Sequence, residues 1–273
     1  MTGHPSSDAV VHAPSRAARP CRRAWPGGLL FAALLQCCAQ APRVVSGVAG
    51  ALPPVDSVFA RYYRAIGGLN QLLVVSTRRM WGTYTEGSFI ARTDIAWRRP
   101  GTRRVNVHAP GFDYSEGYDG RTWEYSSQSR RLVVDTGAAA DAGRRGAEFD
   151  EAFVDYVQKG HRVALLGADS VAGRPVYRVR VSLADGWEKE YLFDQRTGLI
   201  VAVRKAMPIH ARGPAIASLT SYEDWRLCGG LLQPHRFIER EVGTGRLLNT
   251  LQWDSVRLNV PLAPQELGRP AIP

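Results

Sequence analysis

From residue 68 onward the chain alternates apolar and polar side chains with a period of two, and this pattern predicts most of its structure. Phe89, Ala91, Thr93, Ile95 and Trp97 fall on one face of an extended segment, with Arg92, Asp94 and Arg98 on the other. Tyr177, Val179, Val181 and Leu183 alternate with Arg178, Arg180 and Ser182. Leu199, Val201 and Val203 repeat the pattern, as do Leu247, Leu251 and Trp253. Successive strand side chains point to opposite faces, so each segment predicts a strand with one dry face and one wet face. Turn-forming groups separate the runs: Pro100-Gly101, Tyr118-Asp119-Gly120, Ala184-Asp185-Gly186, Asp194 to Gly198, Cys228-Gly229-Gly230 and Gly243 to Gly245. Such spacing predicts an antiparallel meander of roughly ten strands.

Two stretches depart from this period. Val55, Phe59, Tyr62 and Ile66 recur at helical spacing, with Asp56 or Ser57 placed to cap the start and Gly67-Gly68 to end the helix. Between Gly137 and Gly160 the meander is interrupted. Ala138 to Gly146 reads as small and flexible, and Phe149, Phe153, Tyr156 and Val157 then share one helical face. This predicts a short amphipathic helix, bracketed by glycines at 137, 143, 146 and 160, that acts as a movable lid.

The first 51 residues read as an N-terminal extension and secretory signal. Arg22 and Arg23 precede an apolar run from Leu29 to Leu35, and small residues follow at Ala39-Gln40-Ala41 and Ala49-Gly50-Ala51. Cleavage is expected between residues 39 and 52, leaving a β domain over 52–273 in the periplasm or otherwise outside the cytoplasm. The run is shorter than the roughly 20 residues a membrane-spanning helix needs, so no transmembrane segment is expected in the mature chain. Gln36 before Cys37 and Cys37 before Cys38 disfavour a lipid anchor.

That division leaves Cys228 as the mature chain's single cysteine, which excludes an internal disulfide or a multi-cysteine metal site. The net charge is +10, and the leader's Arg16, Arg19, Arg22 and Arg23 against Asp8 carry only part of it. A basic exported surface favours anionic partners, lipid headgroups rather than nucleic acid. The arginines occur in scattered pairs, consistent with a solvated outer face. A monomer is expected.

No catalytic constellation is present. The sequence lacks a nucleophile elbow, a phosphate-binding glycine loop, a paired-histidine zinc motif and a dinucleotide fingerprint, so neither catalytic residues, metal nor cofactor is assigned. Cys228 and His235 can be drawn as a dyad, but a cysteine beside a Gly-Gly turn reads as a small structural residue.

The order of several short segments carries a resemblance. Phe59 to Gly68 leads into a strand with Gly82, followed by Tyr118 to Tyr125 (YDGRTWEY) and Val171 to Tyr177 (VAGRPVY). Tyr191 to Leu199 (YLFDQRTGL), Tyr222 to Arg226, Gly229 to Pro234 and Val256 to Asn259 complete it. The series resembles the LolA/LolB-like superfamily of outer-membrane lipoprotein-sorting proteins over residues 55 to 270. The resemblance implies a mainly β fold: a single unclosed antiparallel barrel of about 10–11 strands, with the N-terminal helix and the inserted lid covering its concave apolar face. It also implies a non-enzymatic carrier binding acyl chains of lipids or lipoproteins, and it maps no defined functional residue.

Two helices are too few to cover so wide an apolar face. Either the interior packs dry or a cavity remains for an apolar ligand. The expected lining is Ile95, Trp97, Tyr177, Val179, Val181, Leu251 and Trp253, under a lid bearing Phe149, Phe153 and Tyr156. The alternative is an envelope protein-interaction or sensor module using the same fold.

Overall fold

The computed structural model describes residues 51–210 and 213–271. Residues 1–50 of the expected leader, and all but the last two positions of its cleavage window, lie outside these residues. Thirteen strands form one antiparallel sheet, reached after two short helices. Helix α1 (Val55–Ile66) and α2 (Leu69–Leu73) precede strands β1 (Thr77–Glu86), β2 (Phe89–Arg98), β3 (Thr102–Ala109), β4 (Phe112–Tyr118), β5 (Thr122–Ser126) and β6 (Arg131–Val134). After helix α3 (Gly137–Gly146) come β7 (Arg162–Val171), β8 (Arg174–Ser182), β9 (Glu188–Asp194), β10 (Ile200–Pro208), β11 (Ala215–Cys228), β12 (Leu231–Glu241) and β13 (Leu247–Leu258), then α4 (Pro264–Leu267).

The spatial order is β6-β5-β4-β3-β2-β1-β13-β12-β11-β10-β9-β8-β7. Two meanders are thus joined where the first strand pairs with the last, Arg78 opposite Leu258 and Thr85 opposite Thr250. The sheet is an unclosed barrel, because β6 and β7 remain its two edges. The predicted turns each fall in a hairpin. Four further tight hairpins, including Gly87-Ser88 and Pro110-Gly111, raise the strand count above the expected ten or eleven.

The segment from β6 to β7 must travel from one edge of the sheet to the other, and in doing so it covers the inner face. Here the structure corrects the expected lid. The stretch that read as flexible, Ala138 to Gly146, lies in helix α3, whereas residues 152–160 form consecutive turns. An amphipathic period can be satisfied by tight turns as well as by a helix, since both return a side chain to the same side every three or four residues.

Phe149 and Phe153 are both buried in the core. Phe153 is fully buried and stacks on Phe59 at a centroid distance of 4.8 Å, with Tyr191 at 5.0 Å, Tyr62 at 5.2 Å and Phe193 at 5.4 Å. Such aromatic packing adds to the burial of each ring. Tyr156, half-buried, donates to the Asp56 carboxylate at 3.2 Å. Asp56 therefore receives a phenol instead of capping α1, whose N-cap is Pro54 without a side-chain cap.

Helix α1 buries Val58, Phe59, Tyr62 and Ile66 against this plug and ends as expected at Gly67. Gly67 has φ 117°, and a β-carbon there would lie 2.5 Å from the Gly230 carbonyl oxygen. The left-handed cap and the close approach together demand glycine.

Polar contacts hold the plug from both sides. The Trp97 indole donates to the Ala147 carbonyl at 2.8 Å, and Arg103 donates to that of Gly146 at 2.9 Å. Arg99 pairs with Asp150 and also donates to the Val75 and Leu72 carbonyls. Across the sheet, the Tyr191 and Tyr222 hydroxyls donate to Glu151 at 3.0 and 3.2 Å. Burial first, then the Glu151 charge, pushes both phenols well above their ordinary pKa, so they stay protonated donors.

Helix α3 is tied to the β8–β9 hairpin by Arg144 and Arg145, both donating to Asp185 at 2.7 and 2.9 Å. Partial burial alone would raise the Asp185 carboxyl. Hydrogen bonds from the Trp187 amide and the two arginines outweigh it and bring the pKa to about 2.

Two predictions follow from this packing. Phe153→Ala should cost about 3–5 kcal/mol, the range for deleting a fully buried ring, seen as a lower urea midpoint. For Asp185 the folded pKa is depressed, so its contribution is full above its ordinary value and is lost as the pH falls through about 2. The urea-midpoint gap between wild type and Asp185→Asn, present at neutral pH, should therefore close over that acidic interval.

Candidate functional site

The plug covers only part of the inner face, and two adjacent chambers with shared wall residues remain beside it. Ile95, Arg103, Leu251 and Trp253 line both. The outer chamber, about 790 Å³, lies toward the β1–β2 and β3–β4 hairpins. Its walls carry Tyr84, Phe89, Val105, Val107, Phe112 and Tyr114. The inner chamber, about 380 Å³, abuts the plug, with Tyr62, Leu72, Phe149 and Val154 as its floor and Met80, Trp97, Trp225, Leu232 and Phe237 along its sides. These volumes lie within the range of small-molecule sites, about 300–1,000 Å³.

Strand parity places this lining. Met80 and Tyr84 of β1, Ile95 of β2, Val105 and Val107 of β3, and Leu251 and Trp253 of β13 all project inward. Between β1 and β13 the register shifts at Trp81/Gly82. A β-carbon at Gly82 would stand 2.1 Å from the Gln252 carbonyl oxygen and 2.8 Å from the Trp253 ring, so glycine lets the indole lie across the strand. Tyr84 meets Phe89 at 6.4 Å, Phe89 meets Phe112 at 6.0 Å and Phe112 meets Tyr114 at 6.3 Å, forming an aromatic wall.

Four expected site residues, Ile95, Trp97, Leu251 and Trp253, are brought together around the chambers. Tyr177, Val179 and Val181 share the inner face but pack in the hydrophobic core with α1 and Phe153; the two valines are fully buried. The plug sits on β8 and β9, so those side chains meet protein instead of an open space. Alternation identifies the face of a strand but not which part of that face another segment covers.

The chambers are not wholly apolar. Arg78, Arg103, Lys189 and Lys205 line the inner one, and so do Glu148, Asp150 and Glu151. None of these was expected. The strongest signal was parity: Lys189 continues the inward face of Tyr191 and Phe193, and Lys205 that of Val203. In the outer chamber Tyr84 donates to Glu86 at 2.6 Å and Tyr114 to Glu124 at 3.0 Å. Burial and these carboxylates push both phenols up, so they are hydrogen-bond donors and not bases.

Cys228 and His235 do meet, at 3.3 Å between Sγ and Nε2. The buried His235 ring uses Nδ1 to donate to the Trp253 carbonyl at 2.9 Å, which leaves Nε2 to accept from the thiol. Burial pushes the Cys228 pKa up, the opposite of an activated nucleophile. The pair is a structural hydrogen bond behind the cavity wall. Among the described residues no cluster of three or more His, Cys, Asp and Glu side chains is placed to hold a metal ion. No helix among them is long and apolar enough to cross a membrane.

No family model and no curated protein sequence matches the chain. Solved structures do share its fold. A DUF1329 family protein from Desulfovibrio piger superposes with a TM-score of 0.56 at 11% identity, covering 81% of this chain and 100% of that one. A LolA superfamily protein from Nitrosomonas europaea gives 0.53 at 13% identity, covering 80% and 99%. A putative outer membrane lipoprotein-sorting protein domain from Vibrio parahaemolyticus gives 0.51 at 10% identity, covering 78% and 94%. The chain has the LolA-like fold.

The hydrogen-bonded thiol should behave accordingly. Cys228 should alkylate with iodoacetamide more slowly than a free model thiol at pH 8, because its thiolate fraction is reduced; a faster rate would restore the dyad.

Proposed function

We propose that this protein is an exported carrier that holds the acyl chain of a lipid or lipoprotein in the chambers of its half-barrel. The observation that carries this reading is the outer chamber, about 790 Å³, with Tyr84, Phe89, Val105, Val107, Phe112 and Leu251 among its walls, left open where the plug does not cover the inner face. A cavity with apolar walls is stabilised by an apolar occupant, since each methylene withdrawn from water contributes about 0.8 kcal/mol. The LolA-like fold and the basic, apolar, small-residue order of the leader agree with a role in the cell envelope. A carrier that takes a chain through water from one apolar phase to another must also release it. Adaptable walls of Met80, Leu251 and aromatic rings suit that better than a closed socket.

A second reading is an envelope interaction or sensor module. The unpaired edges β6 and β7 favour it, because an edge strand offers free backbone groups to a partner strand.

Filling the cavity separates the two. Leu251 is half-buried because it faces both chambers, so Leu251→Trp adds volume where there is room for it. The variant should keep its melting temperature while its affinity for a fluorescent fatty-acid probe falls about tenfold or more. Absence of saturable probe binding in the wild type would instead direct attention to the edge strands.

A further inference from the structure

The inner chamber holds an electrostatic arrangement that core packing does not explain. Lys189 of β9 and Lys205 of β10 are register partners, and both face the chamber. Like charges directly opposite across a strand pair are destabilising, the more so away from water. Arg78, on β1, faces the same space. Its guanidinium lies over the Phe149 ring at 4.4 Å, and its Nε is buried without a hydrogen-bond partner.

The carboxylates of the chamber are already engaged. Glu148 takes the Lys159 ammonium at 2.7 Å, Asp150 takes Arg99, and Glu151 takes the Tyr191 and Tyr222 hydroxyls. Glu239 lies 3.5 Å from Lys205 and also accepts from Ser218 and Asn249. Neither Lys189 nor Arg78 makes an ion pair with a carboxylate among the described residues. Burial, and then Lys205 and Lys159, lower the Lys189 pKa against the pull of Glu151 and Glu148. Among the described residues the Lys189 ammonium has only the Trp187 ring, at 5.6 Å, as a close partner, so an anion placed between these cations would relieve the repulsion and supply the acceptor that Arg78 Nε lacks.

We propose that the inner chamber is a headgroup site: the cargo is an anionic amphiphile whose carboxylate or phosphate is held by Lys189, Lys205 and Arg78 while its chain lies in the outer chamber. The orientation follows from the geometry, since Lys189, Lys205 and Arg78 lie in the chamber that abuts the plug, whereas the chamber toward the hairpins combines apolar walls with the Glu86, Glu116 and Glu124 carboxylates, which repel an anionic head. This deepens the carrier reading and rests on it. The apolar chamber alone would accept any chain, and the cations would select among chains by their heads.

The test compares three ligands of one chain length, oleic acid, oleyl alcohol and methyl oleate, by displacement of a fluorescent probe from the full chain. Oleate should bind at least about tenfold more tightly than either neutral ligand. In Lys189→Gln/Lys205→Gln that preference should shrink to within about twofold with the alcohol's affinity unchanged, and Lys189→Arg should retain it. The single variant Lys189→Gln should also melt no lower than wild type without ligand, because it removes the repulsion and leaves the Lys205–Glu239 pair intact. Equal affinities in the wild type, or a preference that survives the double variant, would overturn the headgroup site and leave the carrier reading standing. Binding by none of the three would remove both. A last arm adds inorganic phosphate and acetate: displacement of oleate by millimolar phosphate alone would reassign the site to a free anion.

Discussion

An open sheet of thirteen strands has an inner face that must be kept from water, and among the described residues no second sheet or helical layer is available to do it. Everything distinctive here depends on how that face is covered. Chain connectivity supplies the answer, because β6 and β7 lie at opposite edges and the link between them has to cross the concavity. Helix α1 joins that link, and Phe59, Tyr62, Phe153, Tyr191 and Phe193 form one aromatic core between them. The cover is asymmetric. It seats over β8, β9 and the start of β10 and leaves β1, β2, β3 and β13 facing open space.

Directional polar contacts determine where the cover stops. Hydrophobic packing alone would let the plug slide over an apolar face, since apolar contact has no preferred direction. Arg99 with Asp150 on one side and Tyr191 and Tyr222 with Glu151 on the other fix it at a particular depth. Removing one member of such a buried pair costs more than the pair contributes, because the remaining charge loses its compensation. These latches hold the plug against the inner chamber with its lysines and arginines, whereas the outer chamber is bounded by short hairpin turns and a wall of aromatic rings. That contrast suits selection by headgroup with tolerance for the chain.

Much of the fold was legible along the chain. Strand faces, six hairpin turns and the cap at Gly67 follow from period and turn chemistry, which are local properties that each residue carries wherever its strand is placed. The helix assigned to residues 149–157 failed for the same reason. Phe149, Phe153 and Tyr156 are spaced for one side, and consecutive turns meet that requirement once Arg99, Trp97 and Tyr191 anchor the backbone. The helix formed instead over Gly137–Gly146, whose glycine-rich composition argues against one. Its anchors are tertiary: Asp185 against Arg144 and Arg145, and the Thr122 hydroxyl donating to the Ala140 carbonyl at 2.7 Å.

By itself the sequence determined which side chains share a face, because alternation is set by backbone geometry two residues at a time. It could not determine which stretch of that face stays uncovered. Val179 and Leu251 obey the same alternation, yet Val179 is sealed beneath α1 and Phe153 while Leu251 borders both chambers. Nor could it set Arg78 in the same chamber as the Lys189–Lys205 hairpin pair, since β1 reaches that space only through the order of the whole sheet. Only the tertiary structure decided these points, because covering a surface and gathering charge around a space are relations between segments far apart in the chain.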